Sequence, residues 1–529
     1  MRPSYFISVL QAFFIIIATG AFLFSAWILW HTPLYGDDLW HLSSLRTNSF
    51  LDLLTKPVFG DSNHIPVFHL WMWFVSFFPL DYPWMHGIQA ILLLLTCVLL
   101  HFYLWQMEIP SWIRWMVTAL FLTTPTIGES IYWTSGTHLW LGCIWILLAL
   151  IFLPRTSDDS YFWRWCGTFA GILLAMMTTE LLYGFCVLFI GLLGLKYRKN
   201  PRVFSGCLIT ALLMIGMVAY RNHLVTGNWL QLSLDRDINR VFLIREIYIS
   251  LYEILAHTHP LPLLEQFSRT YFVRQRLSEG WLFFHLCWYT LIWFIILQRK
   301  GRNGWDLLLL TFVTPLMIVA ANALLYERYL IATIIGNVMA LGLFVDCFSK
   351  TSWKKLYPML GMIGVLVTIL NFHTSIQRTI KHWGKDGIRY QNIIELVKQE
   401  HPDKEHTIGL VDSLSKQFSQ PKKQEWWAAP SNTLFELQLV FSNMNLPSCI
   451  YDLHHNQSFE GYKYRSAHTW SVLNLKESCR WPPQELRCFK YHETGMLAGE
   501  FRPYQGKVKF AYLPDEDSNN QKEIPVTCL

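Results

Sequence analysis

Two adjacent carboxylates, Asp37 and Asp38, stand in Tyr35-Gly36-Asp37-Asp38-Leu39-Trp40-His41, directly after an apolar stretch long enough to cross a bilayer. A carboxylate held at a membrane surface is suited to take a proton from a hydroxyl, which is the work of a general base. The same loop closes with Asp61-Ser62-Asn63-His64-Ile65-Pro66, adding another acid and a histidine. Further along, Glu129, Glu180 and the Glu327-Arg328 pair each fall at the end of an apolar run. Ionisable groups in such places are costly enough to mark candidate sites. Arg221, His223 and His138 belong to the same predicted surface, and cationic or donor groups of this kind can hold a departing phosphate. Each residue also has a plainer reading. An acid pair is commonly a solvated turn, Glu180 a helix cap, and Arg328 a partner for Glu327. The aromatic neighbours of Glu129 suit an interfacial belt, and His138 and His223 suit packing.

These residues need elements to hold them, and composition says of what kind. The chain has 529 residues, 53% hydrophobic and only 15% charged, against roughly 25% charged for an average soluble domain. That excludes a disordered chain, a basic nucleic-acid-binding domain and an ordinary cytosolic enzyme. Charge is uneven: 43 charged residues fall in the first 374 positions and 37 in the last 155. The first part therefore reads as membrane and the second as a soluble domain. Short loops rich in Lys and Arg stay cytoplasmic. They are the N-terminus with Arg2, Arg114, the stretch from Arg155 to Arg164, Lys196 to Arg202, Arg299 to Arg302, and Lys350 to Lys355. Alternating them with the acidic or mixed loops predicts about eleven crossings, with the N-terminus inside and the C-terminus outside. The first outer loop covers residues 31–81 and a second large one 221–280. The run from His64 to Phe78 is left over by this count and reads as an interfacial or re-entrant helix. The run from Cys166 to Leu195, broken only by Glu180, reads as a tight hairpin with Thr178-Thr179-Glu180 at its outer tip. The N-terminal apolar stretch is far longer than the apolar core of a signal peptide and reads as a retained first helix. Residues 235–253 read as an amphipathic surface helix.

Seven of the eleven cysteines lie in apolar segments and read as packing residues. The other four, Cys449, Cys479, Cys488 and Cys528, all fall in the C-terminal region, where an even number outside the cytoplasm suits disulfides of open connectivity. Four free thiols are the alternative. Residues 376–529 read as a mixed α/β domain, with a helix over 383–401, a strand over 406–412, a further helix near 431–442 and a polar tail.

The placement of these features resembles the GT-C superfamily of integral membrane glycosyltransferases, over residues 1–375. The resemblance rests on Asp37-Asp38 after the first helix, on Asn63-His64-Ile65-Pro66 opening an apolar segment, on the hairpin from Gly171 to Glu180, and on a soluble domain after the last span. The bacterial enzymes that glucosylate O-antigen or similar surface glycans are the most similar group. The resemblance implies a polytopic α-helical membrane protein with a C-terminal extracytoplasmic α/β domain, in the cytoplasmic membrane. It implies a polyprenyl-phosphate sugar donor, a cell-surface glycan or lipid-linked acceptor, and membrane lipids as surroundings, with no nucleic acid. By resemblance one of Asp37 and Asp38 is catalytic and the other orients it or the acceptor, Asp37 being slightly favoured. His64, Glu129, His138, Glu180, Arg221 and Arg328 would bind substrate or lipid phosphate. No cofactor is fixed by the resemblance, and a divalent metal stays an open alternative for which the acid pair alone does not argue. The competing classes are a polysaccharide polymerase or ligase using lipid-linked glycans, and a transporter or flippase. Transport would call for charges at mid-span and two matching halves, whereas here the charges gather at helix ends.

Overall fold

The computed structural model describes residues 3–31, 49–55, 65–75, 82–132, 136–154, 162–227 with 229, positions 287, 290, 291, 293 and 294, and 330–349, 356–380, 407–412, 450–452, 496–501 and 506–513. In chain order the helices are α1 (Pro3–His31), α2 (Phe50–Thr55), α3 (Pro66–Val75), α4 (Tyr82–Gln106), α5 (Ser111–Thr123), α6 (Gly128–Tyr132), α7 (Thr137–Phe152), α8 (Phe162–Thr178), α9 (Tyr183–Lys196), α10 (Pro201–Thr226), α11 (Ile331–Ser349) and α12 (Tyr357–Thr379). Single 3-10 turns at Pro125–Ile127 and Glu180–Leu182 lead into α6 and α9. The chain divides into two compact units, with the helices in the first and the strands in the second.

A helix rises 1.5 Å per residue, so about 20 residues are needed to cross the apolar core of a bilayer. Among the described residues five helices are long and apolar enough: Tyr5–Trp30, His86–Gln106, Pro201–Leu224, Ile331–Phe348 and Tyr357–Thr379. A sixth is added if Pro125–Tyr132 and Thr137–Phe152, bent by 112°, make one broken span. The chain is thus a multi-pass helical membrane protein. Ile16, Leu212 and Leu366, on α1, α10 and α12, each keep more than half of their surface exposed, as suits side chains whose solvent is lipid. The sequence count of about eleven goes beyond these helices, partly because charge-free length is not helix length. The charge-free stretch 115–128 is divided between α5, a 3-10 turn and the start of α6. With 13 residues, α5 rises only about 20 Å. It is buried without interruption from Met116 to Thr123, so other helices rather than lipid surround it.

The packing around α5 fixes which helix ends lie together. The Trp112 indole donates to the Tyr357 hydroxyl at 3.0 Å. A Cβ at Gly361 would lie 2.6 Å from Leu10 Cδ1, and one at Gly364 would lie 2.8 Å from Met116 Sδ and 3.5 Å from Phe14. The N-terminal halves of α1, α5 and α12 therefore meet at one end. At the other end the Tyr132 hydroxyl hydrogen-bonds with the side chains of Ser25 on α1 and Thr379 on α12. In α11, Gly342 abuts Val117 and Ile113 of α5.

Among the described residues, α7 and α8 make the most extensive helix–helix contact. Arg164 donates from Nη2 to Ile151 O at 3.2 Å and from Nε to Phe152 O at 3.3 Å, which satisfies carbonyls at the end of α7. Thr168 Oγ1 donates to Ala149 O at 3.3 Å. A Cβ at Gly171 would lie 2.9 Å from Trp145 O and 3.1 Å from Ala149 N. The helices are antiparallel, and small residues bring their backbones together in the manner of membrane helix pairs. The hairpin predicted around Glu180 is present as α8, a 3-10 turn and α9, with Cys186 Sγ 3.8 Å from Ile172 O across it. The segment opening at His64 gives α3, whose ten residues are too few to cross, with Pro66, Phe68, His69, Met72 and Val75 buried.

Of the seven cysteines read as packing residues, Cys97, Cys143, Cys186, Cys207 and Cys347 are buried, Cys166 is partly so, and Cys287 is exposed. In the second unit, β1 (Thr407–Asp412), β2 (Ile450–Asp452), β3 (Met496–Phe501) and β4 (Gly506–Leu513) form one sheet in the order β2-β1-β4-β3. β1 is parallel to β2 and β4, and β3 is antiparallel to β4. β1 falls on the stretch read as a strand. The helices read at 383–401 and 431–442, the amphipathic segment 235–253 and Cys449, Cys479, Cys488 and Cys528 lie outside the described residues.

Because the Gly171 contact is with backbone, no rotamer change relieves it. Gly171→Ala should cost about 1–3 kcal/mol through overpacking, read as a lower thermal midpoint in detergent. Gly191→Ala and Gly216→Ala, where nothing lies within 4 Å of the new methyl, should leave the midpoint unchanged or slightly raised.

Candidate functional site

The α8–α9 turn is built by a polar triplet in an apolar run. Thr178 Oγ1 donates to Leu174 O at 2.6 Å, and Thr179 Oγ1 accepts from Leu181 N at 3.4 Å. The extended backbone of Thr179 then ends α8 and starts the 3-10 turn at Glu180. α10 returns beside it. It begins at Pro201 after Asn200, whose Oδ1 accepts from Val203 N at 3.3 Å, and it ends at Gly227 with φ 75°. That course carries Arg221 to the turn, where its Nη2 forms an ion pair with Glu180 Oε1. The Tyr183 hydroxyl hydrogen-bonds with Arg221 as well. Burial raises the Glu180 carboxyl above its ordinary range, and the charge and hydrogen bond of Arg221 oppose that rise. The two side chains keep 18% (Arg221) and 32% (Glu180) of their surface, so the pair remains within reach of a solute.

The second component is the bend between α6 and α7. Ser130 O, in α6, accepts from Trp140 Nε1 at 2.7 Å and from Gln89 Nε2 at 3.2 Å. Gln89 Oε1 in turn accepts from Thr137 Oγ1 at 2.7 Å, and Ser130 Oγ donates to Ile127 O at 2.8 Å. Gln89, Ser130, Thr137 and Trp140 are all buried. A Cβ at Gly136 would stand 3.2 Å from the same Ser130 oxygen, so a residue without a side chain allows the close return of the chain.

The two components are neighbours. A Cβ at Gly142, one turn after His138, would lie 2.8 Å from both Thr179 Cγ2 and Leu182 Cδ1. The first turns of α7 therefore pack on the turn that carries Glu180. His138, half-buried, meets the Phe68 ring of α3 edge-on at 5.3 Å. One end of the helical unit thus gathers His138, Glu180 and Arg221, together with α6, the helix that includes Glu129. The opposite end holds Arg114, near the start of α5, and Arg164, where α7 ends and α8 begins.

Asp37, Asp38, His64 and Arg328 lie outside the described residues. His223 stacks on Trp229 at 4.3 Å between ring centroids and 5° between planes, with Nδ1 3.1 Å from Gly227 O. It closes the end of α10, which favours its packing role over phosphate binding. Gln89, Ser130, Thr137, Trp140 and Tyr183 were not among the sequence candidates. A lone Gln inside the apolar run of 82–107 was the one available signal. No group of three or more His, Cys, Asp or Glu side chains gathers among the described residues.

If Glu180 and Arg221 act as one unit, their removals are not additive. Glu180→Gln and Arg221→Met should each lower the thermal midpoint in detergent. The double variant should be better than the sum of the singles by about 0.5 kcal/mol or more.

In comparisons with known proteins, no family model matches this chain, and no curated protein does.

Proposed function

We propose that this protein is an integral membrane glycosyltransferase that moves a sugar from a polyprenyl-phosphate carrier to a cell-surface glycan or lipid-linked acceptor. In this reading Asp37 or Asp38 removes the proton from the acceptor hydroxyl as its oxygen attacks the anomeric carbon. The sugar–phosphate bond breaks, and Arg221, with His64, His138 and Arg328, holds the negative charge of the leaving lipid phosphate. Glu129 and Glu180 belong to the same surface, Glu180 by fixing the angle of Arg221. The orientation is N-terminus inside and C-terminal domain outside, across about eleven spans of the cytoplasmic membrane, with an α/β domain after the last span.

The observation that carries the reading is the gathering of His138, Glu180 and Arg221 at the end where the Ser25–Tyr132–Thr379 contacts hold the C-terminal ends of α1 and α12. In the sequence, Asp37 and Asp38 come next after α1. A lipid-linked substrate requires such an arrangement, because its phosphate rests at the membrane surface while its chain stays among apolar helices.

Asp37→Asn or Asp38→Asn keeps the shape and removes the proton acceptor, so one of the two should lose about 10²- to 10⁴-fold in sugar transfer at normal expression. Asp81→Asn is the control and should retain transfer. Asp52 is unsuitable as one, because its Oδ2 accepts from Ser49 N at 3.1 Å and Ser49 Oγ at 2.6 Å and so caps α2. Full transfer by both loop variants would reduce the acid pair to an ordinary turn.

A further inference from the structure

Gln89 lies on α4, a spanning helix, with 2% of its surface exposed. A buried primary amide in apolar surroundings is costly unless both of its heads are satisfied. Here they are satisfied by the two sides of one bend. The amide donates to Ser130 O on α6, 41 residues away in sequence, and accepts from Thr137 Oγ1 on α7, 48 residues away. Trp140 also ties α7 to Ser130 O, but that bond lies within the bent segment. Gln89 is what joins both halves to a separate span. The residue after Thr137 is His138, and the next turn of α7 rests on Thr179 and Leu182.

We propose that Gln89 is a positioning residue for the reaction proposed above: its amide clasps the two halves of the bent α6–α7 segment and holds His138 at its place beside the Glu180–Arg221 turn. The clasp needs a donor and an acceptor on one uncharged side chain of fixed length. Leucine has neither, glutamate lacks the donor, and asparagine is one methylene short. Its contribution to catalysis rests on the glycosyl-transfer reading, whereas its effect on the geometry of His138 does not.

The test therefore has two readouts. His138→Cys is labelled in intact cells with a membrane-impermeant maleimide, followed at that peptide by mass spectrometry, in four backgrounds: Gln89→Leu, Thr137→Val, Thr137→Ser and Thr96→Val. Without the cysteine, the same four variants are scored for the sugar content of the surface glycan. Thr96 is a buried α4 residue whose hydroxyl bonds only its own helix, at Leu92 O, and it serves as the control. Gln89→Leu and Thr137→Val should each change the labelling rate about threefold or more, the scale of one lost hydrogen bond. Both should lower transfer by about ten- to a hundredfold, the scale of a small misplacement. Thr137→Ser should restore both readouts, and Thr96→Val should move neither. Unchanged labelling and transfer in both Gln89→Leu and Thr137→Val would overturn the clasp, as would an equal effect of Thr96→Val. Should Gln89→Leu fail to fold, the Thr137 pair decides, because valine and serine differ there in the hydroxyl. A labelling shift in cells where Asp37→Asn and Asp38→Asn both retain transfer would keep the clasp and remove the function. Unshifted labelling with a dead Asp variant would do the reverse.

Discussion

A helix that breaks inside apolar surroundings must find partners for the backbone groups its turns no longer satisfy, because lipid offers none. In this chain the break between α6 and α7 turns the backbone by 112°, and one carbonyl, that of Ser130, receives two side-chain donors. The angle of the segment depends on that acceptor. Through Gln89 the bend is fixed to α4, and through Tyr132 it is fixed to the far ends of α1 and α12. Gly136 permits the return, since even a methyl group there would crowd the same oxygen.

From the bend outward, the helices alternate between two ends of different character. α7 and α8 run back and forth in close contact over Gly171 and Thr168, α9 returns, and α10 ends where Arg221 meets Glu180. The pair is neither buried enough to act as an inert strut nor open enough to be an ordinary surface bridge, which contributes little. It joins an element of the hairpin to an element of a long span, beside the first turns of α7. A carboxylate there restrains a guanidinium without removing it from access. That is the property needed in a group that must receive a charged substrate in a set orientation.

Several of these features were legible in the sequence because they interrupt an apolar pattern. Glu180 divides a run too long for one helix and too short for two full spans, so both the turn and its position could be read. Arg221 marked itself as a charge at the end of a span, though its partner 41 residues away did not. The stretch 406–412 read as a strand from its alternation. What could not be read was the break after α6. Residues 130–154 are free of charge and look like one unbroken helix, whereas the structure bends there by 112° and packs Trp140 and Gln89 on Ser130. Gln89 escaped because a single amide in a long apolar helix has the same appearance whether it serves a neighbour or simply is tolerated. The surroundings of α5 were hidden for a related reason: its residues are buried without interruption from Met116 to Thr123, and composition does not distinguish protein from lipid as the surrounding medium.

The proposed activity is chemical: the addition of a particular sugar to a surface glycan. Mass analysis of that glycan, purified from cells with and without the gene, tests it most directly. The account predicts the loss of one defined sugar substituent with chain length unchanged, restored when the intact gene is returned. An identical glycan in the two strains, or a change in chain length with every substituent retained, would contradict it.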